Sequence, residues 1–257
     1  FYLKAERKMK NKKITLFVVL LIMGILLVAC GGGTPPAEET QIVDATQAPV
    51  EATATIQPVS TVDLKLDPAN LASDNAKAAV PYLYEGLVRL QDGVVVGALA
   101  STFTVSEDGL DYIFDLRTGV TFHDGTLLNA DTVVLNFNRW FDPADANRGS
   151  GEYAAWVANF GGFKGELTED GKPKSPVDGI EKQDEFTVII HLNTPDPDLL
   201  TKLTDPAFSI MSASSFAGND GGTGPYKAAS NDGTTITLEP FAGYWDPAAI
   251  PSTNVEI

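Results

Sequence analysis

The sequence predicts a mixed domain of the α/β or α+β class, and three observations carry that prediction. Apolar residues alternate in short runs, which is the period of a half-buried strand: Val62/Leu64/Leu66, Phe103/Val105, Tyr112/Phe114/Leu116 and Phe186/Val188/Ile190/Leu192. Elsewhere they recur at helical spacing, from residue 70 to 90 and again after Asn129. The composition, 44% hydrophobic and 20% charged over 257 residues, supports a real core of one large domain or two small ones.

The chain starts with an address. Met9-Lys10-Asn11-Lys12-Lys13 is a positive segment, and the apolar run Ile14 to Ala29 follows, broken only by Thr15 and Gly24. These are the parts of a secretory signal. The run holds 16 residues, short of the roughly 20 that a membrane-spanning helix needs. Leu27-Val28-Ala29-Cys30 resembles the bacterial lipobox, which implies that Cys30 becomes the first mature residue and carries the lipid anchor. Residues 1–30 are therefore expected to be a signal peptide, with the remainder extracytoplasmic and lipid-anchored to a bacterial membrane, in the periplasm or at the cell surface.

Residues 31–60 are rich in Gly, Thr, Ala and Pro, hold four acids and lack Lys and Arg. Such a stretch buries too little apolar surface to offset its ordering entropy, so it reads as a disordered linker. Residues 61–257 are the expected folded domain.

Within that domain Thr61–Leu66 is a strand stopped by Asp67-Pro68. Residues 70–90 read as helix through Ala76, Val80, Leu83, Tyr84, Leu87 and Val88, with a break suggested by Pro81 and Gly86. Asp108-Gly109 turns Phe103/Val105 back onto Tyr112–Leu116 as a hairpin. Asn129 caps a helix to about Phe141, with Asp131 in its first turn and Val133, Val134, Phe137, Trp140 and Phe141 on one face. The segment 161–180 reads as a surface excursion, while Ile236/Leu238 and Asn254–Ile257 read as strands.

The charge excludes one large class. Eighteen basic residues face 34 acidic ones, a formal charge of −16. Six of those basic residues and one acid lie in residues 1–30, so the rest of the chain carries −21. A general nucleic-acid binder needs the opposite sign. The single Cys excludes an internal disulfide framework and any multi-cysteine zinc site, and two His leave little for a histidine-rich metal centre.

Several motifs occur in a fixed order: Tyr84-Glu85-Gly86-Leu87-Val88, Gly97-Ala98-Leu99-Ala100, Ser106-Glu107-Asp108-Gly109-Leu110, Phe114-Asp115-Leu116-Arg117 and Gly119-Val120-Thr121-Phe122-His123-Asp124-Gly125. Asp196-Pro197-Asp198-Leu199-Leu200, Gly222-Thr223-Gly224-Pro225-Tyr226-Lys227 and Tyr244-Trp245 continue the series. Together they resemble the family 5 extracellular solute-binding proteins, the oligopeptide, dipeptide and nickel-binding group of ABC importers. The resemblance spans roughly residues 64–257. It departs at Gly97 and Phe103, where the family usually shows Pro and Trp, and at Thr132, where it has an acid.

The resemblance implies a periplasmic-binding-protein type II-like fold of which this chain holds the first lobe only, the second lobe being missing because family members are about twice as long. It implies a substrate-binding lipoprotein, a monomer, that captures a peptide-like solute and passes it to an ABC permease and its ATPase. No catalysis and no cofactor are implied. The alternative is a non-transport surface lipoprotein of the same fold, an adhesin or sensor partner.

Candidate contacts come from residue chemistry. In Asp67–Asp74 short polar side chains and free backbone groups follow a strand, which suits a peptide-like ligand; Asn70, Ser73 and Asp74 are the candidates, with Ser73 or Asp74 capping the next helix as the structural alternative. Trp156 is either core or a pocket wall. Thr223 and Gly224 lie in a rigid turn whose glycines allow unusual backbone angles, and the resemblance puts this turn at the hinge side of the cleft. His123 reads as satisfied within the Asp124-Gly125 turn, Arg117 as paired with an acid, and His191 as a half-exposed sheet residue. No Gly-x-Ser-x-Gly elbow surrounds Ser212, Ser214 or Ser215, so nucleophilic catalysis has no support.

Overall fold

Asn129 starts the longest helix among the described residues, and the larger core forms under that helix. The computed structural model describes residues 66–71, 74–218 and 220–257, all within the unit Ala54–Ile257. The signal segment, Cys30, the linker, most of the first expected strand and Ser73 lie outside the described residues. Leu66, the last residue of that strand, is buried but not in a strand.

Helix α2 (Ala130–Phe141) matches its predicted bounds. The Asn129 Oδ1 accepts from the Thr132 N–H at 3.0 Å, and Asp131 and Arg139 complement the two ends of the helix dipole. Val133, Phe137, Trp140 and Phe141 are buried on one face. That face packs on an antiparallel sheet in the order β3-β4-β6-β5, built from Ala100–Val105, Asp111–Leu116, Thr187–Leu192 and Val177–Lys182.

The register follows the alternation. Phe103 faces Phe114 and Val105 faces Tyr112 across the hairpin. Tyr112, Phe114, Leu116, Val188, Ile190 and Leu192 all point inward and are buried. A slip of one residue would turn these six outward, so burial sets the pairing.

The expected surface excursion is shorter than residues 161–180, because β5 occupies Val177–Lys182. Its residues Asp178, Gly179, Glu181 and Lys182 hide a strand that lies at the sheet edge, where polar side chains are tolerated and protective. Hairpin β1–β2 (Val88–Gln91, Val94–Gly97) replaces the end of the expected long helix. Its turn, Asp92-Gly93, has φ of 53° and 80°, the mirror-image geometry that suits a two-residue hairpin.

Helix α1 is Asp74–Leu83. Pro81 has no N–H to continue the ladder, and the helix stops two residues beyond it. Ala76, Ala79, Val80 and Leu83 pack against β7 (Tyr226–Asn231) and β8 (Ile236–Pro240), forming a second core with Leu66, Tyr84 and Met211. The short β9 (Val255–Glu256) completes that sheet in the order β7-β8-β9. Two further helices are short: α3 (Ala154–Phe160) and α4 (Leu199–Lys202). No helix among the described residues is long and apolar enough to cross a membrane.

Candidate functional site

A cavity of about 560 Å³ opens where three segments meet: the turn Pro68–Leu71, the stretch Ser150–Ala155 and the turn Asp205–Ala207. Pro68 has its φ preset for the first 3₁₀ position, and the Asp67 carboxylate accepts from the Ala69 N–H at 3.1 Å, so the first wall is a capped, rigid turn. The Asp205-Pro206 turn repeats this construction, with the Asp205 carboxylate accepting from the Ala207 N–H at 3.0 Å.

The second wall is strained. Tyr153 precedes α3 with φ 51° and ψ 44°, a left-handed conformation rare for a residue with a side chain. Its N–H donates to Asn70 Oδ1 at 3.0 Å, linking the two walls. Its hydroxyl donates to the Arg148 carbonyl, and the Arg148 guanidinium stacks 4.1 Å from the ring centre. Burial pushes the Tyr153 phenol above its ordinary value, so the ring stays neutral at physiological pH.

Of the candidates, Asn70 lines this cavity. Asp74 is exposed in the first turn of α1, 3.5 Å from Lys77 Nζ. Trp156 belongs to the core instead: it is 1% exposed, its ring lies tilted 4.4 Å from Phe160 and edge-on 5.3 Å from Phe137, and its Nε1–H donates to the Gly162 carbonyl at 3.0 Å. Tyr153, the aromatic that lines the cavity, carried no periodic signal, because its role depends on a backbone angle.

Thr223 and Gly224 lie in a buried joint rather than on the cavity wall. The Thr223 hydroxyl donates to Glu85 at 3.0 Å, and the Gly224 N–H donates to the Leu83 carbonyl at 2.9 Å. The glycines here are required by contact and not by unusual angles, since neither has positive φ. A Cβ on Gly222 would stand 1.8 Å from the Leu83 carbonyl oxygen, and one on Gly224 2.3 Å from that of Tyr82.

Glu85 is the hub of this joint. It accepts from Thr223, from the Tyr244 hydroxyl at 3.0 Å and from the Trp245 indole at 2.9 Å. Desolvation raises its carboxyl above the ordinary range, and the three donors pull the other way. Arg117 is not paired with an acid among the described residues. Its Nε–H donates to the Ala98 carbonyl at 2.6 Å, and its guanidinium stacks 4.2 Å from the Trp245 ring centre.

His123 is held by groups far along the chain and not by its own turn. Its ring meets Asp220 at 2.6 Å and the Gly224 carbonyl at 3.0 Å. His191 is half-buried on the sheet, 2.8 Å from Asp111 and 3.4 Å from Glu181. Among the described residues no group of three or more His, Cys, Asp or Glu is arranged to hold a metal ion.

Comparison with known proteins agrees with this architecture. The family model described as bacterial extracellular solute-binding proteins, family 5 Middle, matches residues 94–257. The glutathione-binding protein GsiB of Pectobacterium atrosepticum is 29% identical over 198 residues, which cover 74% of this chain and 34% of that protein. Among solved structures, the periplasmic binding protein DppA of Helicobacter pylori in complex with the peptide STSA superposes with a TM-score of 0.56 at 26% identity, over 70% of this chain and 38% of that one. NikA of Brucella suis in complex with Fe(III)-EDTA gives a TM-score of 0.55 at 26% identity, over 74% and 36%. The chain thus spans about a third of the length of the curated relatives it matches.

Proposed function

Because the chain belongs to the family 5 bacterial extracellular solute-binding proteins, we propose that it is part of the substrate-binding lipoprotein of an ABC importer. The protein captures an extracytoplasmic, oligopeptide-like solute without chemistry and delivers it to a membrane permease and its ATPase. Cys30 carries the lipid that tethers it to the membrane, and residues 31–60 act as the tether. The protein acts as a monomer.

The observation that carries this reading is the cavity lined by Asn70 and Tyr153. Its walls are capped turns and a helix start, built from short side chains and main chain, with Lys77, Glu152 and Asp205 around them. A peptide-like solute offers amides and charged ends to such walls. Asn70 contacts the ligand, with Ser73 and Asp74, next in the sequence, as further contacts, while Thr223 and Gly224 hold the joint around Glu85 and Leu83. Relatives bind a peptide or glutathione by name, which fits the same chemistry.

The test is thermal unfolding of the full-length, mature protein with glutathione, with short peptides of varied charge and with nickel chelates. A ligand at 100 times its Kd adds about 2.7 kcal/mol of stability, a shift of several degrees. Flat melting curves across all three sets would sink the transport reading. In cells, the wild type incorporates labelled fatty acid and Cys30→Ser does not; equal labelling of the two would remove the lipid anchor from the proposal.

A further inference from the structure

Arg139 is 2% exposed, although it is charged. It points from the inner face of α2 between the rings of Phe216 and Tyr153, 4.6 and 5.7 Å from their centres. A buried guanidinium requires a paired anion. Asp67, 72 residues away, supplies it: Nη1 donates to Oδ1 at 3.3 Å, and Nη2 donates to Oδ2. The fork contacts both oxygens and so fixes the plane of the carboxylate.

The same carboxylate then orients Asn70. Asn70 Nδ2–H donates to Asp67 Oδ2 at 2.9 Å, which leaves Oδ1 facing away, and Oδ1 accepts the Tyr153 N–H at 3.0 Å. A flipped amide would set oxygen against carboxylate and NH₂ against N–H, two repulsions in place of two bonds. The Asn70 amide is packed so closely that a Cβ on Gly151 would stand 2.2 Å from its Oδ1. The result is a directional chain from Arg139 through Asp67 and Asn70 to the left-handed backbone of Tyr153.

We infer that Arg139 and Asp67 are positioning residues for the cavity: their ion pair sets the orientation of the Asn70 amide, and that amide holds the Tyr153 wall in register with the Pro68–Leu71 wall. The inference rests on the cavity's being the ligand site. It names two residues of which neither needs to touch the ligand.

The test is amide hydrogen exchange in the full-length protein, which needs no ligand. Arg139→Gln is expected to speed exchange of the Tyr153 amide about tenfold relative to the β4 amides, roughly the loss of one hydrogen bond. Phe137→Leu, on the same helix but outside the chain of bonds, serves as the control for general loosening. An unchanged Tyr153 ratio in Arg139→Gln, or an equal rise in Phe137→Leu, would overturn the inference. If Arg139→Gln does not fold, Asn70→Ala removes the link and leaves the ion pair in place. It should raise the same exchange ratio, a readout that does not depend on Asn70 also contacting the ligand. An unchanged ratio would overturn the inference. If the wild-type protein binds none of the probes, the transport reading fails, and the exchange data still decide the positioning role.

Discussion

The His123 ring and the Asp220 carboxylate meet 2.6 Å apart with both side chains fully shielded from solvent, although 97 residues separate them. The second ring nitrogen reaches the Gly224 carbonyl at 3.0 Å, and the second carboxylate oxygen accepts the Ala228 N–H at 2.7 Å. One contact therefore pins the turn after Val120 to the segment that enters β7.

Asp220→Ala leaves the His123 ring and the Ala228 N–H without their buried partner. Chemical denaturation should show a loss of about 2–5 kcal/mol. A loss below about 0.5 kcal/mol would mean that water replaces the carboxylate, and that the contact contributes little.

Glu85 makes stability depend on pH in a defined direction. Desolvation by burial raises its folded-state pKa above the ordinary 4.5. The folded state therefore binds its proton more tightly than the unfolded state does. The stability this adds is present below the ordinary value and is lost as pH rises through the folded value. The stability of the wild type minus that of Glu85→Gln should fall as pH is raised from about 4 through that window. A difference that stays flat, or that rises with pH, contradicts the assignment of desolvation as the larger cause.

Two glycines should differ sharply in their tolerance of a single methyl group. Gly222→Ala drives a Cβ to 1.8 Å from a backbone oxygen, whereas Gly179 on β5 has nothing within 4 Å of its Cβ position. Gly222→Ala is expected to cost about 3 kcal/mol or to prevent folding. Gly179→Ala should change stability by less than about 0.5 kcal/mol. Equal melting temperatures for the two variants would contradict the close packing of the joint.

Trp156→Ala should destabilise by about 3–5 kcal/mol, since it empties the centre of a cluster that includes Phe137, Phe160 and Phe208. Ligand affinity, measured where the variant remains folded, should change less than it does in Asn70→Ala. A variant with wild-type stability and lost affinity would return Trp156 to the pocket wall.

Local pattern made much of the fold legible. The Asn129 cap, the apolar face from Val133 to Phe141 and the pairing of Phe103 with Phe114 follow from periodicity, because burial of one face sets both helix and strand registers. The Asp92-Gly93 hairpin was missed, because Leu87 and Val88 continue the helical period of the preceding segment up to it. Strand β5 was not legible, since Asp178, Gly179 and Glu181 suppress the alternation at a sheet edge. The ordered motifs from Tyr84 to Trp245 carried the family without any structure.

What the sequence by itself determined is which faces are buried, where the main helix begins and which family the chain resembles. The tertiary structure decided which residues meet: Asn70 with Tyr153, Glu85 with Thr223, Tyr244 and Trp245, and His123 with Asp220. The physical reason lies in range. Periodicity records the burial of each residue against an average interior, a quantity summed over neighbours within a few positions. A hydrogen bond between residues 83 or 97 positions apart exists only once the chain has closed, and neither partner carries a local mark of the other. The cavity is the space left where such closures meet, so its walls became visible only in three dimensions.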